Sequence, residues 1–252
     1  MIYRNIETLT GEICGMNFNF KVLKIPKKIF LLLSGGTDSA LLFYLLCKYI
    51  DENKIDTTIT PFTLIDTRRP GNDFYTNKII NFMRHTFKSV NINDNVIRYI
   101  TKINTHDKKK LTKEQLKLYF STNNYELSIS ALTSFPSQSE LEKNKELYNQ
   151  SLNILTEDRT KTETKKTGPM YEKENNTYWY FPFINIDKKD VAKMYEEYDL
   201  MDNLFPITQS CIGYPKETNN GTEPCKKCFW CLEKYWAFGL FDYPKDLIND
   251  RF

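Results

Sequence analysis

The stretch Ile29-Phe30-Leu31-Leu32-Leu33-Ser34-Gly35-Gly36-Thr37-Asp38-Ser39-Ala40 decides the fold. It begins with an apolar run, turns on two glycines, and leads into a second apolar stretch that ends at Ile50. This order predicts a buried strand, a tight turn and a helix start. The amides of Gly35 through Ser39 then point together at the helix N-terminus, where an anion is favoured. Gly35 and Gly36 let the backbone approach an oxygen that a Cβ would obstruct. Ser34 and Ser39 offer hydroxyls, and Asp38 offers a carboxylate to a metal-bound polyphosphate. The lysine and the spacing of a Walker loop are missing. The blander reading of the same residues is a strand-to-helix turn that uses serines and glycines.

Outward from this stretch the chain alternates strand and helix. Strands are expected near Thr58 to Ile65, Val96 to Ile103 and Tyr125 to Leu132, and helices near Phe74 to Phe87, Leu111 to Phe120 and Glu140 to Leu155. The alternation argues for a doubly wound, mainly parallel α/β sheet with its ligand site at the carboxyl edge, where the loop lies. Ser39 to Ile50 is apolar on nearly every face, as a helix packed between a sheet and other helices would be. Four regions follow: an N-terminal arm (1–28) with a strand or hairpin at Phe18 to Leu23, a nucleotide-binding domain (29–155), a polar loop (156–177), and a helical metal-binding region (178–252).

Composition bounds the function without choosing it. The 252 residues, 40% of them hydrophobic, can bury a sizeable core. A net charge of +3 from 35 basic and 32 acidic residues is not the footprint of a protein that grips a nucleic-acid backbone, so no nucleic-acid partner is expected. No apolar run reaches the length of a membrane span and Met1-Ile2-Tyr3-Arg4-Asn5 carries no signal-peptide core, which predicts a soluble cytoplasmic protein.

A second constellation stands near the C-terminus: Cys211, then Cys225-Lys226-Lys227-Cys228-Phe229-Trp230-Cys231. Two-residue spacings let thiolates converge on one tetrahedral metal, and Gly213, Pro215, Gly221 and Pro224 supply turns that bring Cys211 round. Zinc is expected, with an iron–sulfur cluster and disulfides as the alternatives. A site with four cysteine ligands is closed, so its metal staples the fold and does not activate water. Cys14 and Cys47 read as small buried hydrophobes.

The Ser-Gly-Gly-Thr-Asp-Ser hexapeptide at 34–39 resembles the loop of the PP-loop ATP pyrophosphatases. The resemblance narrows through Phe181-Pro182-Phe183-Ile184-Asn185-Ile186-Asp187-Lys188-Lys189-Asp190, the helix to Tyr198, Gln209-Ser210-Cys211 and the trailing cysteines. Together these are similar to the C-terminal half of the 7-cyano-7-deazaguanine synthase (QueC) family, with a divergent middle. As plain structure, Asp187 caps a helix whose buried face is Val191, Met194, Tyr195 and Tyr198.

The resemblance implies an ATP-dependent ligase of queuosine biosynthesis. Such an enzyme adenylates the 7-carboxylate of a deazaguanine, releases pyrophosphate, and displaces AMP with ammonia or another amine. It implies ATP and Mg²⁺ at Ser34, Gly35, Gly36, Thr37, Asp38 and Ser39, with Asp38 and Ser39 as the catalytic pair, and Zn²⁺ at Cys211, Cys225, Cys228 and Cys231. Adenine is then expected at the backbone of Leu64 to Asp66. Arg68 and Arg69 are placed to neutralise the α-phosphate or the substrate carboxylate, and equally suit a solvated loop. His85 and His106 read as structural or solvent-facing.

Two family segments are replaced, by Thr105-His106-Asp107-Lys108-Lys109-Lys110 and by Ala131-Leu132-Thr133-Ser134-Phe135-Pro136-Ser137-Gln138. Phe135 is expected either to stack on a purine-like ring or to fill the core, and Ser134, Ser137 or Gln138 to bond the edge of that ring. The departure leaves the substrate open and suggests a divergent member, like phage-encoded or antiphage-defence relatives that stop at the amide or join the deazaguanine carboxyl to an amine other than ammonia. A homodimer or a protein acceptor is compatible with the chain. Other PP-loop enzymes, such as a tRNA-modifying thiolase or lysine ligase, are the main alternative, followed by a non-catalytic nucleotide-binding partner.

Overall fold

The computed structural model describes residues 6–13, 16–23, 27–68, 72–100, 125, 127–148, 170–174 and 177–248. Two strands, β1 (Ile6–Ile13) and β2 (Met16–Leu23), pair antiparallel as a separate hairpin sheet, so the expected arm begins earlier than Phe18 and has two strands.

The main sheet grows from the apolar run. Strand β3 (Lys28–Leu32) lies between β4 (Thr58–Asp66) and β7 (Leu127–Ser130), parallel to both. The chain leaves β3 toward β4 and later returns to β7 on the other side. The carboxyl end of β3 is therefore the point where strand order reverses, the crevice in which such sheets take ligands. β9 (Thr177–Phe181) continues the parallel order beside β7, and β8 (Met170–Glu174) closes that edge antiparallel to β9. Thus the end of the expected polar loop is a strand, and the start of the expected C-terminal region belongs to the central sheet. The antiparallel edge strand needs only one paired side, which suits its polar sequence. Residues 156–169 lie outside the described residues.

The opposite edge of the sheet is formed by two short strands, β5 (Asn91–Ile92) and β6 (Val96–Ile100), both parallel to β4. Their interruption has a cause. It falls opposite Thr60-Pro61, and proline has no amide to give the ladder. Ile59 pairs with Ile92 and Phe62 with Val96, so three residues face two, and Asn93 fills the gap by donating from its amide to the Ile59 carbonyl and from Nδ2 to Thr60 Oγ1, each at 2.9 Å. The expected strand at 96–103 is found through Ile100; its remainder and the helix expected at 111–120 lie outside the described residues.

Side chains of β3 alternate between two cores. Ile29, Leu31 and Leu33 face helix α1 (Thr37–Glu52) and helix α2 (Asn72–Thr86) with Leu41, Phe43, Ile79 and Met83. Phe30 faces the other way, its ring 5.1 Å from both Phe62 and Tyr125. The helix expected at Glu140 to Leu155 begins earlier and is broken at Asn144 into α3 (Gln138–Lys143) and α4 (Lys145–Tyr148).

Helix α5 (Lys188–Glu197) packs on α1, and α6 (Phe229–Phe238) packs on α5. Asp187 starts α5 as anticipated: Oδ1 accepts from the amides of Lys189 at 2.9 Å and Asp190 at 3.2 Å, while Asp190 reaches back to the Asp187 amide. This capping box fixes the orientation of Lys188, its first helical residue. Replacing Asp187 by alanine should cost about 1 kcal/mol, read as a lower urea midpoint, and asparagine, which keeps the accepting oxygen, should recover most of it.

Candidate functional site

The turn after β3 is closed by its own side chains. Ser39 Oγ donates to the Gly36 carbonyl at 3.1 Å and accepts from the Ser34 amide at 3.2 Å, with Ser34 Oγ 3.1 Å away. Gly36 donates to Ser34 Oγ at 3.3 Å. Gly35 has φ +86°, a conformation that needs glycine. Gly36 is the N-cap of α1 and supplies no capping side chain, so the first-turn amides of this helix have no side-chain acceptor at the N-cap. A Cβ on Gly36 would meet only Ser34 Oγ, Gln209 O and Ser210 Oγ at 3.5 to 3.9 Å, ordinary contact distances. The protein itself therefore leaves room for a side chain at Gly36.

Asp38, in the first turn of α1, meets a residue far away in sequence. Lys188 Nζ lies 2.5 Å from Asp38 Oδ2, 3.4 Å from Thr37 Oγ1 and 3.7 Å from Glu233 Oε2. The Lys188 side chain is 4% exposed and that of Glu233 1%, so this is a cation buried between two carboxylates. Burial works against the Lys188 charge, but Asp38 and Glu233 outweigh it and hold the ammonium above its ordinary range. Tyr195, one helix face below, donates to the Thr37 carbonyl at 2.9 Å. Asp38 Oδ1 is buried with no hydrogen-bond partner among the described residues. An unpaired carboxylate oxygen at a helix N-terminus fits a bound cation carrying phosphate oxygens.

The four clustered cysteines converge. Their Sγ atoms all lie within 4.8 Å of one another, with Cys225 and Cys231 4.0 Å apart. A tetrahedron of 2.3 Å zinc–sulfur bonds has edges of about 3.8 Å, so a small contraction closes this group on one ion, whereas a cubane cluster would need the sulfurs spread around its body. Cys228 caps α6 and Cys231 lies in its first turn, where the helix dipole favours thiolate. Contact with Cys211, then Cys231, pulls the Cys228 thiol down to about 2, while contact with Cys228 pushes Cys211 up to about 12. Sulfurs this close cannot all ionise unaided, and a divalent cation removes the conflict. The disulfide alternative is not realised, since all four are free thiols. Gly213 makes the loop possible: an added Cβ would stand 2.7 Å from Thr218 Cγ2 and 2.9 Å from Cys225 Cβ.

Loop and cysteine group are joined through buried polar groups. Asp242 accepts from the Cys211 amide at 2.8 Å and from the Ser210 amide at 2.9 and 3.0 Å. Its charge is matched by Lys234 of α6 at 2.6 Å, with side chains 2% and 0% exposed. One residue before Ser210, the Gln209 amide donates to the Gly35 carbonyl at 2.8 Å. Lys234, which also lies 3.0 Å from Thr208 Oγ1 and 4.1 Å from the Phe205 ring centroid, is shifted downward by burial because it has one carboxylate where Lys188 has two.

Other anticipated residues take different places. Leu64 and Ile65 lie where β4 ends at the carboxyl edge, beside the loop strand. Arg68 turns back on that edge, its Nε and Nη2 forking onto Asp66 at 2.9 and 2.7 Å. Phe135 is 7% exposed and packs edge-on against Phe229 at 5.2 Å, so of its two readings the core holds. Ser134 Oγ donates to the Ile184 carbonyl at 2.7 Å, Ser137 caps α3, and Gln138 reaches Glu142. His85 is exposed in the last turn of α2, and burial raises the Cys47 thiol, as expected of an inert core cysteine. Cys14, Arg69 and His106 lie outside the described residues. Lys188, Glu233, Lys234 and Asp242 were not singled out from sequence; only the Asp-Lys helix start pointed toward the first of them.

No protein-family model matches the chain, and no curated protein does. Among solved structures, it is similar to the U34-tRNA thiolase NcsA from Methanococcus maripaludis, solved with its 4Fe-4S cluster, at 11% identity and a TM-score of 0.43. The match covers 73% of this chain and 60% of that protein, so the chain spans less than two thirds of its length. No helix among the described residues is long and apolar enough to cross a membrane.

Elemental analysis of the purified chain should give about one zinc per chain. Cys228→Ser should lose most of that metal and unfold the C-terminal segment at lower temperature, because the binding energy of such a site is folding energy. Gly213→Ala, which changes no ligand, should release zinc to a chelator faster than the wild type.

Proposed function

We propose that the chain is an ATP-dependent ligase of the 7-cyano-7-deazaguanine synthase type, which adenylates the carboxylate of a 7-deazaguanine and condenses it with ammonia or another amine in the cytoplasm. The observation that carries this reading is the glycine turn at the strand-order reversal, with Asp38 Oδ1 buried and unpaired and Lys188 2.5 Å from Oδ2. The open amides of α1 and the Lys188 ammonium together make a site for a polyphosphate.

The chemistry follows from the charges. A carboxylate oxygen of the substrate attacks the α-phosphorus of ATP, the bond to the β-phosphate oxygen breaks, and pyrophosphate leaves. The amine then adds to the acyl carbon, AMP departs with the former carboxylate oxygen, and a proton is lost from nitrogen to give the amide. A nitrile requires a second activation of the amide oxygen. The loop amides hold the pyrophosphate, and preorganised donors of this kind stabilise the charge that develops on it. Magnesium bound with the nucleotide at Asp38 supplies further neutralisation. Ser39, whose hydroxyl ties Ser34 to Gly36, keeps the turn closed and the amides aligned.

The structure of the middle segment bears on the substrate. With Phe135 in the core and Ser134 and Ser137 committed to the backbone, reading of a deazaguanine edge falls to other residues, which supports an altered pocket and an acceptor other than ammonia. Arg68 must leave Asp66 before it can meet a phosphate or carboxylate. A thiolase would need reactive cysteines; among the described residues the four clustered sulfurs suit one ion, and Cys47 is buried.

Incubation with ATP, Mg²⁺, 7-carboxy-7-deazaguanine and either ammonium or a panel of primary amines, read by mass spectrometry, should yield AMP with an amide, conjugate or nitrile. Asp38→Asn should lower AMP formation by about a hundredfold or more. Because it also removes one of the two carboxylates around the buried Lys188 ammonium, its melting temperature should fall, and AMP formation is to be compared at a temperature where both proteins are folded. Wild-type AMP formation by this variant would overturn the assignment of Asp38, and absence of AMP with every amine would overturn the substrate.

A further inference from the structure

We infer that the cysteine centre sets the phosphate loop through the backbone of Gln209, so that metal occupancy and nucleotide affinity are thermodynamically coupled; this rests on the loop being a nucleotide site, as proposed above.

The path consists of short, buried contacts. Cys211 contributes one of the four clustered sulfurs, and its amide is anchored on Asp242 at 2.8 Å together with that of Ser210. Asp242 is anchored in turn on Lys234, three residues after Cys231 on the helix that carries two of the other sulfurs. Two of the three residues of the 209–211 segment, Ser210 and Cys211, are thus tied to the cysteine group. The segment then touches the loop at one point, where the Gln209 amide donates 2.8 Å to the Gly35 carbonyl.

That contact has directional force. In a trans peptide the carbonyl and the following amide point in opposite directions, so holding the Gly35 carbonyl on Gln209 fixes the direction of the Gly36 N–H. Gly35 is at φ +86° and has no side chain to resist rotation of that peptide plane. The Gly36 amide donates to Ser34 Oγ inside the turn at 3.3 Å, so Ser34 holds the inner side of this peptide plane and Gln209 the outer side. Gln209 O and Ser210 Oγ are the atoms from outside the turn nearest to where a Gly36 Cβ would stand. Loss of metal removes the ligand constraint on Cys211, loosens Ser210 and Gln209, and frees the Gly35–Gly36 plane to turn its carbonyl oxygen toward the phosphate. Reciprocity follows: whatever factor metal adds to nucleotide affinity, nucleotide adds to metal affinity.

The test is a cycle of binding measurements on the full chain. ATP affinity is measured by calorimetry on zinc-loaded protein and on protein stripped by a chelator, and zinc affinity is measured against a chromogenic chelator with and without saturating ATP. Both factors should agree, on the order of tenfold. Gln209→Pro removes the one amide that touches Gly35, and Thr208, at φ −107° and ψ 147°, already has the extended conformation required before proline. With zinc content unchanged, this variant should bind ATP as weakly as stripped wild type and should lose the dependence on metal. Equal ATP affinity in loaded and stripped wild type overturns the coupling and leaves the nucleotide site standing. Absence of ATP binding by loaded wild type overturns the nucleotide site itself, and the coupling with it. Persistence of the full metal dependence in Gln209→Pro overturns the Gln209 route. If the variant loses its zinc, the ratio of ATP affinities between loaded and stripped wild type decides the coupling alone.

Discussion

The buried ammonium of Lys188 holds the site together. It joins α1, α5 and α6, with Asp38 on the first, Glu233 on the last and itself at the start of the middle one. A charge this deep persists only where carboxylates surround it, which is why α5 must begin where it does. The capping box at Asp187 fixes that start, and the helix dipole at the α5 N-terminus works against a cation there, so the two carboxylates must offset both the dipole and burial. The result is a carboxylate at the mouth of the loop that is half neutralised and half open, since Oδ2 is taken and Oδ1 is not.

The parts of this arrangement that are local in sequence were legible. Five apolar residues before Gly35-Gly36 could only be a buried strand entering a turn, and the spacing of Cys225, Cys228 and Cys231 on a helix start brings sulfurs to one side. The continuous burial of β3, with side chains alternating between two cores, and the Asp187 cap follow from the same short-range rules. Long-range partners were not legible. Nothing within ten residues of Lys188 says that Asp38 lies 2.5 Å away, and a lysine after a helix cap is ordinarily solvated. Lys234 and Asp242 drew no reading from the sequence, yet both are buried and paired. Strand β8 was hidden for a different reason: as an antiparallel edge it needs no apolar face, so its polar sequence resembled the loop before it. The two-residue strand β5 was not anticipated; Pro61 breaks the ladder between it and β6 without breaking β4 itself.

Phe135 shows how a family-derived expectation and a packing argument compete for one residue. A stacking platform needs one open face, and the ring has none: Phe229 meets it edge-on and Trp230 lies 6.3 Å from it. The cluster it joins includes Leu141 and Leu232, so the segment after β7 serves to seat α3 against the cysteine helix. Substrate-reading groups then have to come from the carboxyl edge near β4 or from residues beyond those described. Asp66, at the carboxyl end of β4 beside Ile100 of β6 and forked by Arg68, forms with it a polar pair on that edge with geometry suited to exchange partners.

Buried ion pairs are poor instruments of stability, because the desolvation of both charges cancels much of their attraction and apolar replacements of similar volume often do as well. Lys188 with its two carboxylates and Lys234 with Asp242 are therefore not explained by folding energy. Their opposite shifts give a better account. Lys188 loses from burial but gains more from Asp38 and Glu233, and remains a cation beside the turn, as a site for polyphosphate requires. Lys234 is shifted downward and is held by Asp242, which spends its remaining capacity on the Ser210 and Cys211 amides. One pair places charge and the other places backbone. The two lysines and their carboxylates thus divide between them what an anion site at a helix N-terminus needs, a fixed positive charge and correctly aimed amides, and both are anchored on the helix that begins at the cysteine group.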